Sequence, residues 1–218
     1  MDASAKCREL VDAAREINRC GLNQGRSGNL SARHGDGMLI SASGSQFDAI
    51  TDAGFVETDF NGNGHGARQP SSEWAFHAAI YRQRPDAGAV VHVHSPWATT
   101  VACLRRPIPS FHYMVAVAGG HDIPCAPYAT FGTKTLADHV AEALRNRNAC
   151  LLANHGQVAL ADTVSGAMEL AMEVELLARC YGQALSIGEP ALLSDQEMDE
   201  ALERFRGYWR HTRDHGPL

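Results

Sequence analysis

Apolar and polar positions alternate along this chain with two distinct periods, and the change between them marks out the elements. Cys7, Leu10, Val11, Ala14 and Ile17 recur at helical spacing between about Ala3 and Cys20, with Gly21 as a natural cap. Two short strands follow, about Asn29 to Arg33 and Met38 to Ser41, joined by a turn at Gly35-Asp36-Gly37. Asp59 to Gln69 is rich in glycine and asparagine and reads as a loop. Pro70 with Ser71 or Ser72 then opens a helix with Trp74, His77, Ala78 and Tyr81 on one face.

Pro85-Asp86 turns the chain into Ala89 to Trp97, where Val90, Val91 and Val93 predict a strand that Pro96 ends. A short helix over Pro96 to Cys103, a strand-like His112 to Val117 and a short buried strand over Ile123 to Ala126 come next. Thr133 is placed to cap a helix from Lys134 to Arg147. Cys150 to Ala153 and Gln157 to Leu160 are strands either side of N-H-G. Asp162 is read as the cap of a long helix reaching about Leu185, and a last helix covers about Ser194 to Arg206. The tail beyond about Tyr208 is polar and reads as mobile. The whole predicts one α/β domain over 1–218, with a central, mostly antiparallel sheet flanked by helices.

Composition narrows the function. A formal charge of −6, with acids and bases interspersed, argues against nucleic acid or an anionic membrane as the main partner. An acidic chain that takes a phosphorylated substrate must hold it with a local, backbone-built site. Six cysteines without a C-x-x-C pair read as free thiols in a reducing compartment. With no apolar signal core and no long apolar run, the expected location is cytoplasmic.

The chemistry-bearing residues gather at few places. His92 and His94 project from one face of the Val90 strand and could supply two corners of a tetrahedral metal site, or be a hydrogen-bonded pair on a half-buried sheet. His155, with Gly156 allowing a tight turn, is either the third ligand of an open, catalytic His₃ site or a solvated turn residue. Glu73 at a helix start is a dipole-complementing carboxylate, or a general acid/base and extra ligand. Ser71, Ser72 and the glycine turns G-R-S-G-N and S-A-S-G offer hydroxyls and backbone N–H groups suited to phosphate. The middle of the chain holds one lysine, Lys134, at a helix start, which disfavours an imine mechanism.

Together G-R-S-G-N-L-S, S-A-S-G, Q-P-S-S-E-W, D-A-G-A-V-V-H-V-H, I-P-S-F-H-Y-M, A-G-G, I-P-C-A-P-Y-A-T-F-G-T and L-L-A-N-H-G resemble the class II aldolase/adducin family, from about Gly21 to Tyr208. The resemblance implies one Zn²⁺ per subunit on His92, His94 and His155, with Glu73 as catalytic acid/base and extra ligand. It implies a phosphate pocket of Gly28, Asn29, Ser43, Gly44, Ser71 and Ser72. Tyr113, entering from the neighbouring subunit of a C4 homotetramer, and Tyr208 of the C-terminal segment are the further implied catalytic groups. The implied reaction is cleavage of a ketose 1-phosphate, L-fuculose 1-phosphate first, to dihydroxyacetone phosphate and L-lactaldehyde. The alternatives are 5-methylthioribulose or 5-deoxyribulose 1-phosphate in a salvage pathway, a same-fold sugar-phosphate 4-epimerase, and a non-catalytic scaffold. Arg26 and Ser43 depart from the pattern, which usually has threonines there.

Overall fold

The computed structural model describes residues 3–215, of which His65 and 207–215 are described by backbone alone. Eight strands form one sheet: β1 (Asn29–His34), β2 (Gly37–Ser41), β3 (Phe55–Asp59), β4 (Gly64–His65), β5 (Ala89–Val93), β6 (Cys125–Ala126), β7 (Ala149–Leu152) and β8 (Gly156–Ala161). Their order is β4-β3-β2-β1-β5-β8-β7-β6, antiparallel throughout except for the short parallel β6–β7 edge. The helices are α1 (Ala3–Arg19), α2 (Trp74–Gln83), α3 (Pro96–Ala102), α4 (Lys134–Ala143), α5 (Val164–Ile187) and α6 (Asp195–His215). Among the described residues no helix is long and apolar enough to cross a membrane.

Strand alternation divides the core in two. Ala89, Val91 and Val93 of β5 join Leu30, Leu151 and Ala159 under α1, α3 and α5. Val90 faces the other way, with Met38, Ile40, Val158 and Leu160 against α2 and α4. Full burial of a valine or leucine contributes about 1.5–3 kcal/mol, so the three valines of β5 fix which face each neighbour takes. A one-residue slip would move each of them to the opposite face. His92 therefore lies on the α2 side by the same parity that buries Val91 on the α5 side.

The expected α/β class and antiparallel sheet are what the chain adopts. Several local readings differ. His112 to Val117 is not a strand but a 3₁₀ turn over Tyr113–Ala118, because the His112 side chain accepts from the Met114 N–H and Gly119, at φ 87°, ends it. Thr163 rather than Asp162 caps α5, accepting from the Gly166 N–H. Helix α4 ends at Ala143, short of Arg147. Strands β3 and β4 fall in stretches not read as strands, since Glu57 and the glycines around β4 break the apolar pattern. The last helix continues to His215, so the tail expected to be mobile is helical in its backbone past Arg206. The six cysteines are free, with Cys150 buried.

Two polar ties fix helix ends. Both carboxylate oxygens of Glu175 accept from the N–H groups of Trp97 and Ala98 at 2.8 Å, so α5 caps α3 just after the His94 segment. His121 lies between two acids of α6, with Nδ1 3.2 Å from Asp195 Oδ1 and Nε2 2.9 Å from Asp199 Oδ1. Hydrogen bonding to Asp199 raises the His121 pKa above its ordinary value, against a smaller desolvation effect. A raised folded-state pKa stabilises fully below the unfolded value, and the stabilisation is lost as pH rises through the folded value. The difference in thermal midpoint between the protein and a His121→Ala variant should therefore shrink between about pH 6 and pH 8; a difference constant across that range would contradict it.

Candidate active site

The three imidazoles meet because β5 is paired on both sides. Asn29 of β1 and Val158 of β8 are the register partners of His92. His92 is fully buried, and its Nδ1–H donates to the Gln157 carbonyl at 2.8 Å. With Nδ1 so engaged, Nε2 is the ring nitrogen left to serve as a ligand, 3.1 Å from His94 Nε2. His94 follows the end of β5, and its backbone N–H donates to buried Asn23 Oδ1 at 3.2 Å.

His155 arrives from the β7–β8 turn, but not as expected from glycine. The left-handed residue there is Asn154, at φ 55°. Gly156 already belongs to β8, where a Cβ would stand 2.5 Å from the Val93 carbonyl oxygen and 3.1 Å from His94 Cδ2. Glycine is needed for close approach of two backbones, not for the turn itself.

Glu73 immediately precedes α2 and is 7% exposed. Its Oε2 is 3.3 Å from His92 Nε2 and accepts from Asn29 Nδ2 at 2.9 Å. Its Oε1 is 3.4 Å from His155 Nε2 and makes no hydrogen bond, although buried. Burial alone would raise the Glu73 carboxyl, but the His92 and His155 imidazoles and the Asn29 amide outweigh it and hold it well below the usual carboxylate range. Burial and the neighbouring His92 push His94 down to about 3 and His155 down to about 4, so both rings are neutral with a lone pair to offer. The ring nitrogens of the three histidines lie within 4.8 Å of one another. Three imidazoles and one carboxylate with an orphaned buried oxygen make a donor set that fits a divalent metal.

Beside this group lies a cleft of about 320 Å³. Gly28, Ser43, Gly44, Ser71 and Ser72 line it together with Asn29, Glu73, His94 and His155. Two strand-like contacts bring the serine turns together: the Ser43 N–H donates to the Gln69 carbonyl and the Ser71 N–H to the Ser41 carbonyl, each at 3.0 Å. Gly28 admits no side chain, because a Cβ would meet the His92 carbonyl at 2.8 Å and Asn23 Oδ1 at 2.9 Å. Arg26 is the one lysine or arginine among the described lining residues, with Nη1 3.2 Å from the Gly44 carbonyl oxygen.

The Asn29 side chain is committed on both sides, donating to Glu73 and accepting from His77 at 2.6 Å. Tyr113 is 54% exposed, stacks on Phe205 at 6.2 Å and 7°, and is not among the cleft-lining residues. The Tyr208 side chain is outside the described residues.

Comparison with known proteins decides the family. The model described as Class II Aldolase and Adducin N-terminal domain matches residues 8–182. This chain belongs to the class II aldolase and adducin N-terminal domain family. It is 52% identical over 199 residues to a 5-methylthioribulose-1-phosphate/5-deoxyribulose-1-phosphate aldolase of Rhodospirillum rubrum, covering 91% of this chain and 90% of that protein. It is 48% identical over 209 residues to an L-fuculose phosphate aldolase of Escherichia coli strain K12, covering 95% and 97%. The structure of an L-fuculose 1-phosphate aldolase superposes with a TM-score of 0.91 at 42% identity, covering 94% of this chain and 98% of that one. The chain is accordingly a class II aldehyde-lyase.

Sequence reading of this class II aldolase missed what stands behind Glu73. His77, Ser31 and Tyr81 are buried and hydrogen-bonded in a line ending at Asn29. A signal was present: Glu73, His77 and Tyr81 fall at i, i+4 and i+8, and Asn29 and Ser31 at i and i+2 of a strand. His94→Ala should lower divalent-metal affinity by more than the roughly 10–100-fold typical of losing an outer partner. Competition with a chromophoric chelator measures this, and unchanged affinity would remove His94 from the donor set.

Proposed function

We propose that the chain is a zinc-dependent aldolase that cleaves L-fuculose 1-phosphate to dihydroxyacetone phosphate and L-lactaldehyde. The observation that carries this reading is the convergence of His92, His94, His155 and Glu73 beside a cleft that serine hydroxyls and turn backbone also line. These four residues would hold Zn²⁺, which supplies Lewis-acid stabilisation of the negative charge that develops on the C2 oxygen.

The chain's own groups would do the rest. Ser43, Gly44, Ser71 and Ser72, with Gly28 and Asn29, form the phosphate pocket; the exposed Ser72 hydroxyl and the backbone N–H groups at the start of α2 suit an anion without much net charge. Breaking C3–C4 costs the C4 hydroxyl its proton and releases the aldehyde. Glu73, ionised at rest, takes up a proton and passes it to C3 to complete dihydroxyacetone phosphate, so the proton lost at C4 balances the one gained at C3. Tyr113 is the acid/base at the C4 oxygen and acts in a neighbouring subunit of a C4 tetramer. Its exposure, and its place outside the cleft of its own chain, support that assignment. Tyr208 closes the aldehyde side from α6. The reducing cytoplasm suits six free thiols.

A second substrate has specific support. The relative 52% identical to this chain acts on 5-methylthioribulose and 5-deoxyribulose 1-phosphates by its name. Tyr128 and Phe131, 54% and 66% exposed, line the cleft with apolar rings. Such a wall suits a methyl or methylthio terminus equally, so the aldehyde half needs measurement.

Release of dihydroxyacetone phosphate from both substrates, with and without EDTA, tests the proposal. The expected result is chelator-sensitive cleavage with the larger kcat/KM on L-fuculose 1-phosphate. Preference for the methylthio substrate would move the enzyme to salvage, and cleavage insensitive to metal removal would end the metal assignment. Glu73→Gln should lose about 10²–10⁴-fold in kcat.

A further inference from the structure

A single file of buried polar groups runs from Glu73 into the core between α2 and β1. Asn29 Nδ2 donates to Glu73 Oε2 at 2.9 Å, and Asn29 Oδ1 lies 2.6 Å from His77 Nε2. His77 Nδ1 is 2.8 Å from Ser31 Oγ, which is 2.8 Å from the Tyr81 hydroxyl. Ser31 and His77 are fully buried, Tyr81 is 1% exposed and Asn29 3%. None of these four residues is needed as a metal ligand.

The chemistry of each link fixes its direction. A carboxylate only accepts, so Asn29 must turn its NH₂ towards Glu73. Its oxygen then faces His77 and can only accept, so the proton of the neutral ring sits on Nε2. Nδ1 is left bare and takes the Ser31 hydroxyl proton, and the Ser31 oxygen takes that of Tyr81. Reversing any one link would set two lone pairs against each other in a dry interior.

The weak point of such a file is the asparagine. Its amide is nearly symmetric in shape, so packing alone hardly separates the two orientations. The flipped one would press the amide oxygen against the Glu73 carboxylate. The geometry points to His77 as a positioning residue: its Nε2–H locks the Asn29 amide in the orientation that donates to Glu73 Oε2, leaving Oε1 for the cleft. Ser31 and Tyr81 select the His77 tautomer that allows this. The inference rests on Glu73 carrying the proton in the proposed reaction, and it also concerns where the Glu73 oxygens point.

The test uses zinc-loaded protein and the variants His77→Leu, His77→Gln and Ser31→Ala. His77→Leu should lose about 10–100-fold in kcat, the range for outer partners of a metal site, with KM changed no more than about threefold. His77→Gln, whose amide can place an N–H near the position of Nε2–H, should recover most of kcat. A purely structural role would lower the thermal midpoint and kcat together in both variants and show no such recovery. The visible absorption spectrum of Co²⁺-loaded protein reads the donor set without any substrate. It should shift in His77→Leu and return in His77→Gln. If the wild-type chain cleaves neither substrate, the aldolase reading fails while the spectrum still decides this one. Should His77→Leu not fold, Ser31→Ala removes a single oxygen and decides: lower kcat at constant KM, with a shifted spectrum, supports the assignment. Unchanged kcat and spectrum in the variants that fold overturn it.

Discussion

A carboxylate held almost out of water is the constraint around which this site is built. Moving an ion from water into a protein interior costs several kcal/mol even after relaxation, so Glu73 can stay ionised only if its surroundings offset that cost. Here the offset comes from two sides: the imidazoles of His92 and His155, and the Asn29 amide. One oxygen is satisfied by the protein and the other is not. A purely structural ion pair would have both occupied, since an unpaired buried acceptor costs about 1–3 kcal/mol. The imbalance is what a site for a cation and a transferable proton requires.

The sheet turns that local requirement into a precise placement. His92 comes from β5, His94 from just past its end, His155 from the turn that enters the neighbouring β8, and Asn29 from the strand on the other side. Register sets their spacing with backbone hydrogen bonds, which no side-chain substitution removes. Parity does the rest. The valines that bury one face of β5 force the histidine to the other, where α2 brings the carboxylate. A loop-built site with the same residues would depend on side-chain packing for every distance.

Periodicity made the central strands and the amphipathic helices legible, because Val90, Val91 and Val93 or Leu10, Val11 and Ile17 bury on the expected faces. It failed where side chains replaced backbone periodicity. His112 caps its own 3₁₀ turn with its ring, and Thr163 outcompetes Asp162 for a helix start. Neither contact leaves a spacing signature. Of the site, the H-x-H pair and N-H-G could be singled out as chemical types, but their meeting is a fact of strand order, which no local window contains. His77 shows the limit most clearly. On an apolar helix face it reads as core, and it is core; its hydrogen-bond partners on β1 are what give it a further part.

The strand order also governs how the site comes apart. The elements that carry Asn29, His92 and the approach to His155 lie mid-sheet, whereas both edges are strands of two residues. Edge strands open at low free-energy cost, and central ones only with the whole domain. Amide hydrogens around His92 should thus exchange through global unfolding alone, and any ligand held there would stabilise the entire cooperative unit rather than one segment. The fold and the site share one unfolding transition.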